Sequence, residues 1–257
     1  MSNGVEEEAL YKPYDQFILF GDSITQMSSD PDLGFGLHGA LQNAYSRRLD
    51  VINRGFNGYS SAHAIKVLPK FFPTPERATV RFMTIFFGAN DACLPGSPQH
   101  VPLNEYKVNL KRIIQHPAIV AQNPRILLLT PPPVDQYGLQ VFDESKGNPH
   151  PSRTAIHTKQ YAEAVREVGA SLGVPVVDIW SAFISTTGWK EGEPLPGSRD
   201  SPKLDKFQRL FTDGLHLTAD GYRIVYDAVI AAIRTNWPEH EAEQLELVFP
   251  AWPEAPK

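Results

Sequence analysis

The chain has 257 residues, 42% of them hydrophobic and 21% charged, with a formal net charge of -5 at pH 7. That composition suits a soluble globular protein with a sizeable core, and the mild acidity, without any clustered Lys/Arg run, argues against a nucleic-acid partner. The single cysteine, Cys93, rules out an internal disulfide framework, and the apolar runs are too short to insert stably in a bilayer.

Met1–Leu10 is polar and acidic, without the basic and apolar regions of a secretory signal, so a cytoplasmic location is expected. Phe17-Ile18-Leu19-Phe20 reads as a buried strand ending at Gly21, and a helical pattern follows over Gly36–Arg47. Leu49-Asp50-Val51-Ile52 reads as a second strand, followed by a helix over Ser61–Phe71. A third, Val80–Phe87, precedes a helix over Asn104–Gln115. A fourth, Arg125–Thr130, is stopped by Pro131-Pro132-Pro133 and followed by a helix over Arg153–Leu172. Val174–Ile179 is the fifth strand. Ala219–Arg234 closes the core, with Ile224, Val225, Ala228, Val229 and Ala232 on one helical face. Runs that are apolar throughout, rather than alternating, belong to strands buried on both faces. Their alternation with helices predicts an α/β, doubly wound, flavodoxin-like three-layer sandwich around a five-stranded parallel sheet. The stretches 131–151 and 190–204 read as loops. One domain is expected over 1–236, followed by a Pro/Trp-rich extension over 237–257 in which Phe249 and Trp252 are candidate anchors.

Ligands of open α/β sheets bind beyond the carboxyl ends of the strands, so the residues there bear on function. Strand one runs into Gly21-Asp22-Ser23-Ile24-Thr25, where a serine is placed to project into the crevice. Strand two runs into Asn53-Arg54-Gly55-Phe56-Asn57-Gly58, whose glycines serve a tight turn or the close approach of backbone to a ligand. Strand three runs into Gly88-Ala89-Asn90-Asp91. Here Asn90 either caps the next segment or aims an amide N–H at a developing oxyanion. Asp213-Gly214-Leu215-His216 sets a carboxylate three residues before an imidazole, the spacing of an orienting acid and a general base. Each segment alone also reads as an ordinary turn. Their joint placement just past core elements favours one hydrolytic site.

These four segments resemble the sequence blocks of the SGNH, or GDSL, hydrolases, from about Phe17 to about Arg234. Ile24 stands where the eponymous Leu would be. The resemblance implies Ser23 as nucleophile, His216 as base, Asp213 as its orienting acid, and an oxyanion hole made by Ser23, Gly58 and Asn90. It implies no metal and no cofactor. Asn53-Arg54-Gly55-Phe56, Phe87–Ala92, Thr130–Pro133 and Thr212–Leu217 are similar to the isoamyl acetate-hydrolysing branch. That similarity implies short-chain acetate esters of small alcohols as substrates, and a homodimer. The alternatives within the fold are lysophospholipase, thioesterase and sugar-acetyl esterase activity. The segments before Arg153 and around Pro194–Asp205, and the tail after Trp237, are longer than that branch leads one to expect.

Three rival readings fit less well. An α/β-hydrolase elbow needs Gly-x-Ser-x-Gly, but position 25 is Thr. A metallophosphoesterase would use Asp22, Asn90, Asp91, Asp213 and His216 as ligands, yet no histidine accompanies Gly88–Asp91. A ligand-binding module with a relic site would not be expected to keep every catalytic residue type. His38, His63, His100, His116, His150, His157 and His240 show no metal-like spacing and read as structural or surface residues. Cys93 reads as a buried small hydrophobe, and Asp22 and Asp91 as braces of their turns.

Overall fold

Successive residues of the first apolar run point to opposite sides of a sheet, and both sides are covered. Phe17 and Leu19 belong to one buried cluster, Ile18 and Phe20 to the other. The computed structural model describes residues 13–148 and 150–255; the reading of Met1–Leu10 falls outside them.

The strands are β1 (Asp15–Gly21), β2 (Leu49–Gly55), β3 (Val80–Phe86), β4 (Arg125–Leu129) and β5 (Val176–Val177). All pair in parallel, in the order β2-β1-β3-β4-β5. The sheet is the one the sequence predicts. From β1 the chain moves outward to β2, then returns across β1 to add β3 on its other edge. The loops leaving β1 and β3 therefore diverge, opening a crevice above the carboxyl ends of these two neighbours.

The helices are α1 (Ser23–Met27), α2 (Leu37–Ala44), α3 (Ser61–Phe71), α4 (Leu103–Ile114), α5 (Pro117–Gln122), α6 (Gln136–Ser145), α7 (Ala155–Leu172), α8 (Ile179–Ser185), α9 (Asp205–Gln208) and α10 (Ala219–Asn236). Residues of α2, α8 and α10 cover one face through Leu37, Leu41, Phe183, Tyr222, Val225 and Val229. Residues of α3, α4 and α7 cover the other through Ala64, Leu68, Tyr106, Leu110, Tyr161 and Val165. Caps fix the ends of the long helices. Thr154 starts α7 by accepting the His157 N–H at 3.2 Å, and Gly173, in the left-handed region, ends it.

Two stretches differ from the sequence reading. The fifth strand is two residues long, because Asp178 accepts the Ser181 N–H at 3.1 Å and turns the chain into α8. The stretch 131–151, read as a loop, contains α6. Asp135 caps it, accepting the backbone N–H groups of Tyr137 at 3.4 Å and Gly138 at 3.0 Å. The stretch 190–204 is irregular, as expected.

The tail folds back along the amino-terminal edge of the sheet. Val248 N–H donates to Arg47 O at 3.0 Å, Arg48 Nε to Leu245 O at 2.9 Å, and Arg47 Nη2 to Phe249 O at 3.1 Å. Phe249 meets Tyr14 edge-on, so it is an anchor; Trp252 is 87% exposed and is not. Among the described residues no helix is long and apolar enough to cross a membrane.

Candidate active site

The nucleophile candidate sits where a strand is converted into a helix within two residues. β1 ends at Gly21, Asp22 caps α1 by accepting the Ile24 N–H at 2.9 Å, and Ser23 is the first helical residue. The cap holds the serine at the crevice, where the residue is 2% exposed. Ser23 Oγ lies 2.9 Å from His216 Nε2, and His216 Nδ1 lies 2.6 Å from Asp213 Oδ2.

The proton positions follow from the partners. An ionised carboxylate only accepts, so Nδ1 carries the hydrogen and donates it to Asp213. Nε2 is then an acceptor, and the Ser23 hydroxyl donates to it. Burial pushes the Asp213 carboxyl up, but the His216 ring and the backbone N–H groups of His216 and Leu215 outweigh it. The net effect holds the group below its ordinary range. Those backbone donors reach Asp213 Oδ1 at 2.8 Å and 3.0 Å.

The Asp213–His216 turn is itself fastened. Gly214 has φ +86°, and a Cβ there would lie 2.3 Å from Leu139 N and 2.4 Å from Asp135 O. Only glycine lets the turn lie this close to the start of α6. One turn further along α6, Phe142 meets the His216 ring edge-on, with centroids 6.3 Å apart.

The loops leaving β2 and β3 flank Ser23, because β1 lies between those strands. Gly58 has φ +78°. Asn90 is 3% exposed and caps no helix. Its Nδ2 donates to Tyr59 O at 2.9 Å, and its Oδ1 accepts from Gln99 Nε2 at 3.1 Å and Arg153 Nη2 at 3.0 Å. Gln99 Nε2 also donates to Gly58 O at 2.9 Å. Ser23, Asp213 and His216 thus form one hydrogen-bonded chain, and Gly58 and Asn90 are joined to each other through Gln99.

Known proteins are similar to this chain in sequence and in structure. Residues 19–224 match the model of the GDSL-like Lipase/Acylhydrolase family. The chain belongs to this family. It is 36% identical over 242 residues to a GDSL esterase/lipase of Arabidopsis thaliana, covering 91% of each chain. It is 30% identical to the isoamyl acetate-hydrolyzing esterase of Saccharomyces cerevisiae, covering 93% of this chain and 94% of that one. In structure it is similar to a lipase/acylhydrolase from Enterococcus faecalis, with a TM-score of 0.61 at 24% identity, over 91% of this chain and 98% of the other. The resemblance read from the sequence blocks is therefore correct, and the protein is an ester hydrolase.

This GDSL-family hydrolase buries two further carboxyls: Asp22 braces its own turn as the cap of α1, whereas Asp91, read as a brace of its turn, ties the loop after β3 to the start of α3. Asp91 accepts the Ser61 N–H and hydroxyl, and burial pushes its pKa up to about 6. Burial likewise pushes Asp22 up to about 7, against the opposing Ile24 N–H, with the Asp91 charge adding to the rise. Cys93 is buried, as the sequence reading has it, and burial raises its thiol. No group of three or more His, Cys, Asp or Glu side chains arranged to hold a metal occurs among the described residues. A cavity of about 560 Å³ lined by Arg125, Val174 and Trp237 opens by the amino-terminal ends of β4 and β5; none of the candidate residues lines it.

Sequence reasoning missed Gln99, Arg153 and Asp135. Asp135 carried a usable signal, an acidic cap just after a proline run. Gln99 and Arg153 carried none, since each acts through partners remote in the chain.

Proposed function

We propose that this ester hydrolase works by two-step acyl transfer through Ser23, and that it acts on acetate esters of small alcohols. His216 removes the Ser23 proton as Oγ attacks the ester carbonyl. The resulting oxyanion is held by the backbone N–H groups of Ser23 and Gly58 and by the side-chain amide of Asn90. His216 then protonates the departing alcohol, and water repeats the sequence on the acyl-enzyme. Asp213 keeps the ring in the tautomer that accepts from Ser23.

The observation that carries the mechanism is the unbroken chain of hydrogen bonds Asp213–His216–Ser23, at 2.6 Å and 2.9 Å. The substrate class rests on relatives. The yeast protein is named for hydrolysing isoamyl acetate, and a human homologue of that esterase is 30% identical over 92% of this chain.

Ser23→Ala is expected to abolish ester turnover while leaving the thermal melt near that of the parent, and a fluorophosphonate probe should label Ser23 alone. Full activity in the variant, or labelling elsewhere, overturns the assignment. A panel of p-nitrophenyl esters from acetate to laurate tests the substrate: kcat/KM should be highest for acetate, and a maximum at long acyl chains overturns that part. The same reading takes 1–236 as the hydrolase domain and 237–257 as an extension, in a cytoplasmic homodimer. Light scattering of the full chain tests the dimer.

A further inference from the structure

A side-chain amide can be an oxyanion donor only if its nitrogen, not its oxygen, faces the oxyanion. The two ends of Asn90 are nearly equal in shape, so something must choose between them. Arg153 makes that choice. A guanidinium has donors and no acceptor, so the end of Asn90 that meets Nη2 at 3.0 Å must be the oxygen. Gln99 makes it again. The atom of Gln99 that bonds Gly58 O at 2.9 Å must be its nitrogen, and that same nitrogen lies 3.1 Å from Asn90 Oδ1. With Oδ1 fixed by two donors, and one Nδ2 hydrogen given to Tyr59 O, the other Nδ2 hydrogen is uncommitted among the described residues, as the proposed oxyanion role requires.

Reversing the amide would set its NH2 against the donors of both Arg153 and Gln99, and its oxygen against Tyr59 O. The network therefore holds one orientation. It also strengthens the donor it holds, since a cationic N–H on Oδ1 draws charge from Nδ2. Gln99 does a second job. Gly58 and Asn90 leave different strands, and one Gln99 nitrogen ties the two loops together. The peptide whose oxygen Gln99 holds is fixed at its other end by the Tyr59 N–H, which donates to Phe56 O at 3.1 Å.

Arg153 is 4% exposed, and it makes no ion pair with a carboxylate among the described residues. Its donors go to Ala89 O at 2.6 Å, Asn90 Oδ1 and Ser152 Oγ. Burying a guanidinium that no carboxylate touches is costly, and here its hydrogen bonds go to the Ala89–Asn90 segment and to Ser152.

We infer that Gln99 and Arg153 are positioning residues of the oxyanion site, setting the orientation and spacing of Asn90 and Gly58. The inference rests on the oxyanion role proposed for those two residues.

A double-mutant cycle with p-nitrophenyl acetate tests it. Gln99→Met, Arg153→Met and Arg153→Lys are each made in the parent and in Asn90→Ala. In the parent, Gln99→Met and Arg153→Met should each lower kcat about tenfold or more with KM little changed, and Arg153→Lys should recover part of the loss. In Asn90→Ala the Arg153 changes should cost at most about threefold, because residues acting through a shared partner are not additive, and Gln99→Met should cost less than in the parent, keeping only the part that acts through Gly58. Equal fold-losses in both backgrounds, or folded variants with parental kcat, overturn the inference. Should Arg153→Met fail to fold, as a thermal melt would show, the Arg153→Lys cycle tests Arg153 and the Gln99→Met cycle tests Gln99. Parental kcat in Asn90→Ala itself would instead overturn the oxyanion reading, and this inference with it.

Discussion

Asp135 N–H donates to the carbonyl of Gly214 at 2.9 Å, fastening the start of α6 to the turn that carries both Asp213 and His216. The bond explains why a segment far from Ser23 in sequence belongs to its site. Asp135 also caps α6, and Gln208 Nε2 holds its carboxylate at 3.0 Å.

Gly214→Ala should damage this junction twice over. At φ +86° an L-residue costs about 1–2 kcal/mol. The new methyl would also press on the backbone of Asp135 and Leu139. A denaturant melt should show that loss or more, and the folded variant should lose kcat as His216 shifts from Ser23. A variant as stable and active as the parent would mean that the turn relaxes freely.

Asp213→Asn should leave the turn largely intact but reverse the imidazole. An amide nitrogen facing Nδ1 would make that atom an acceptor and move the ring hydrogen to Nε2. Ser23 would then lose its base, at a cost of about 10⁴ in kcat in comparable triads. The parent carboxyl is held below its ordinary range, so its stabilising bonds are complete above the unfolded-state pKa. They are lost only as pH falls through the lower folded value. Comparing acid melts of parent and variant should show this extra acid-sensitivity in the parent only.

Asp22 acts in the opposite sense. Its pKa rises from 3.8 to about 7 on folding, so the folded state binds the proton more tightly. Its contribution is complete below about pH 4 and is lost as pH rises towards 7. Asp22→Asn keeps the acceptor for Ile24 N–H and removes the titration. The variant should therefore gain stability relative to the parent as pH rises between those limits, by up to about 1.4 kcal/mol for each pH unit climbed. A constant difference between parent and variant across that range would exclude Asp22 as the source.

Asn90→Ala should lower kcat by about 10²–10³, or roughly 2.7–4 kcal/mol of transition-state stabilisation, with little change in KM. Steady-state kinetics beside a melt separates this from a structural role. A destabilised but fully active variant would remove Asn90 from the oxyanion site.

Much of this was legible in the sequence, because the signals were local. The apolar runs Phe17–Phe20 and Val80–Phe87 marked strands covered on both faces, and Asp213 to His216 lay close enough to read as a pair. Tertiary partners hid the rest. Arg153 looks like an ordinary residue at the start of a helix until the fold lays it under Ala89 and Asn90. The short helix α6 was obscured by three prolines before it and by Gly138 within it. Gly138 is there because a Cβ would lie 3.0 Å from Gly214 N, a reason no local pattern reveals.

Ser23 and His216 are bonded across 193 positions of the chain. The serine is made well before the imidazole it bonds. During synthesis the hydroxyl cannot reach this imidazole until the segment that carries Asp213 and His216 emerges. On the mechanism proposed above, a chain that has laid down β1 to β4 without that segment should be inert toward esters. Turnover then reports the finished molecule, and recovery of activity after denaturation should follow the slow, long-range closure of the parallel sheet and not the rapid formation of its helices.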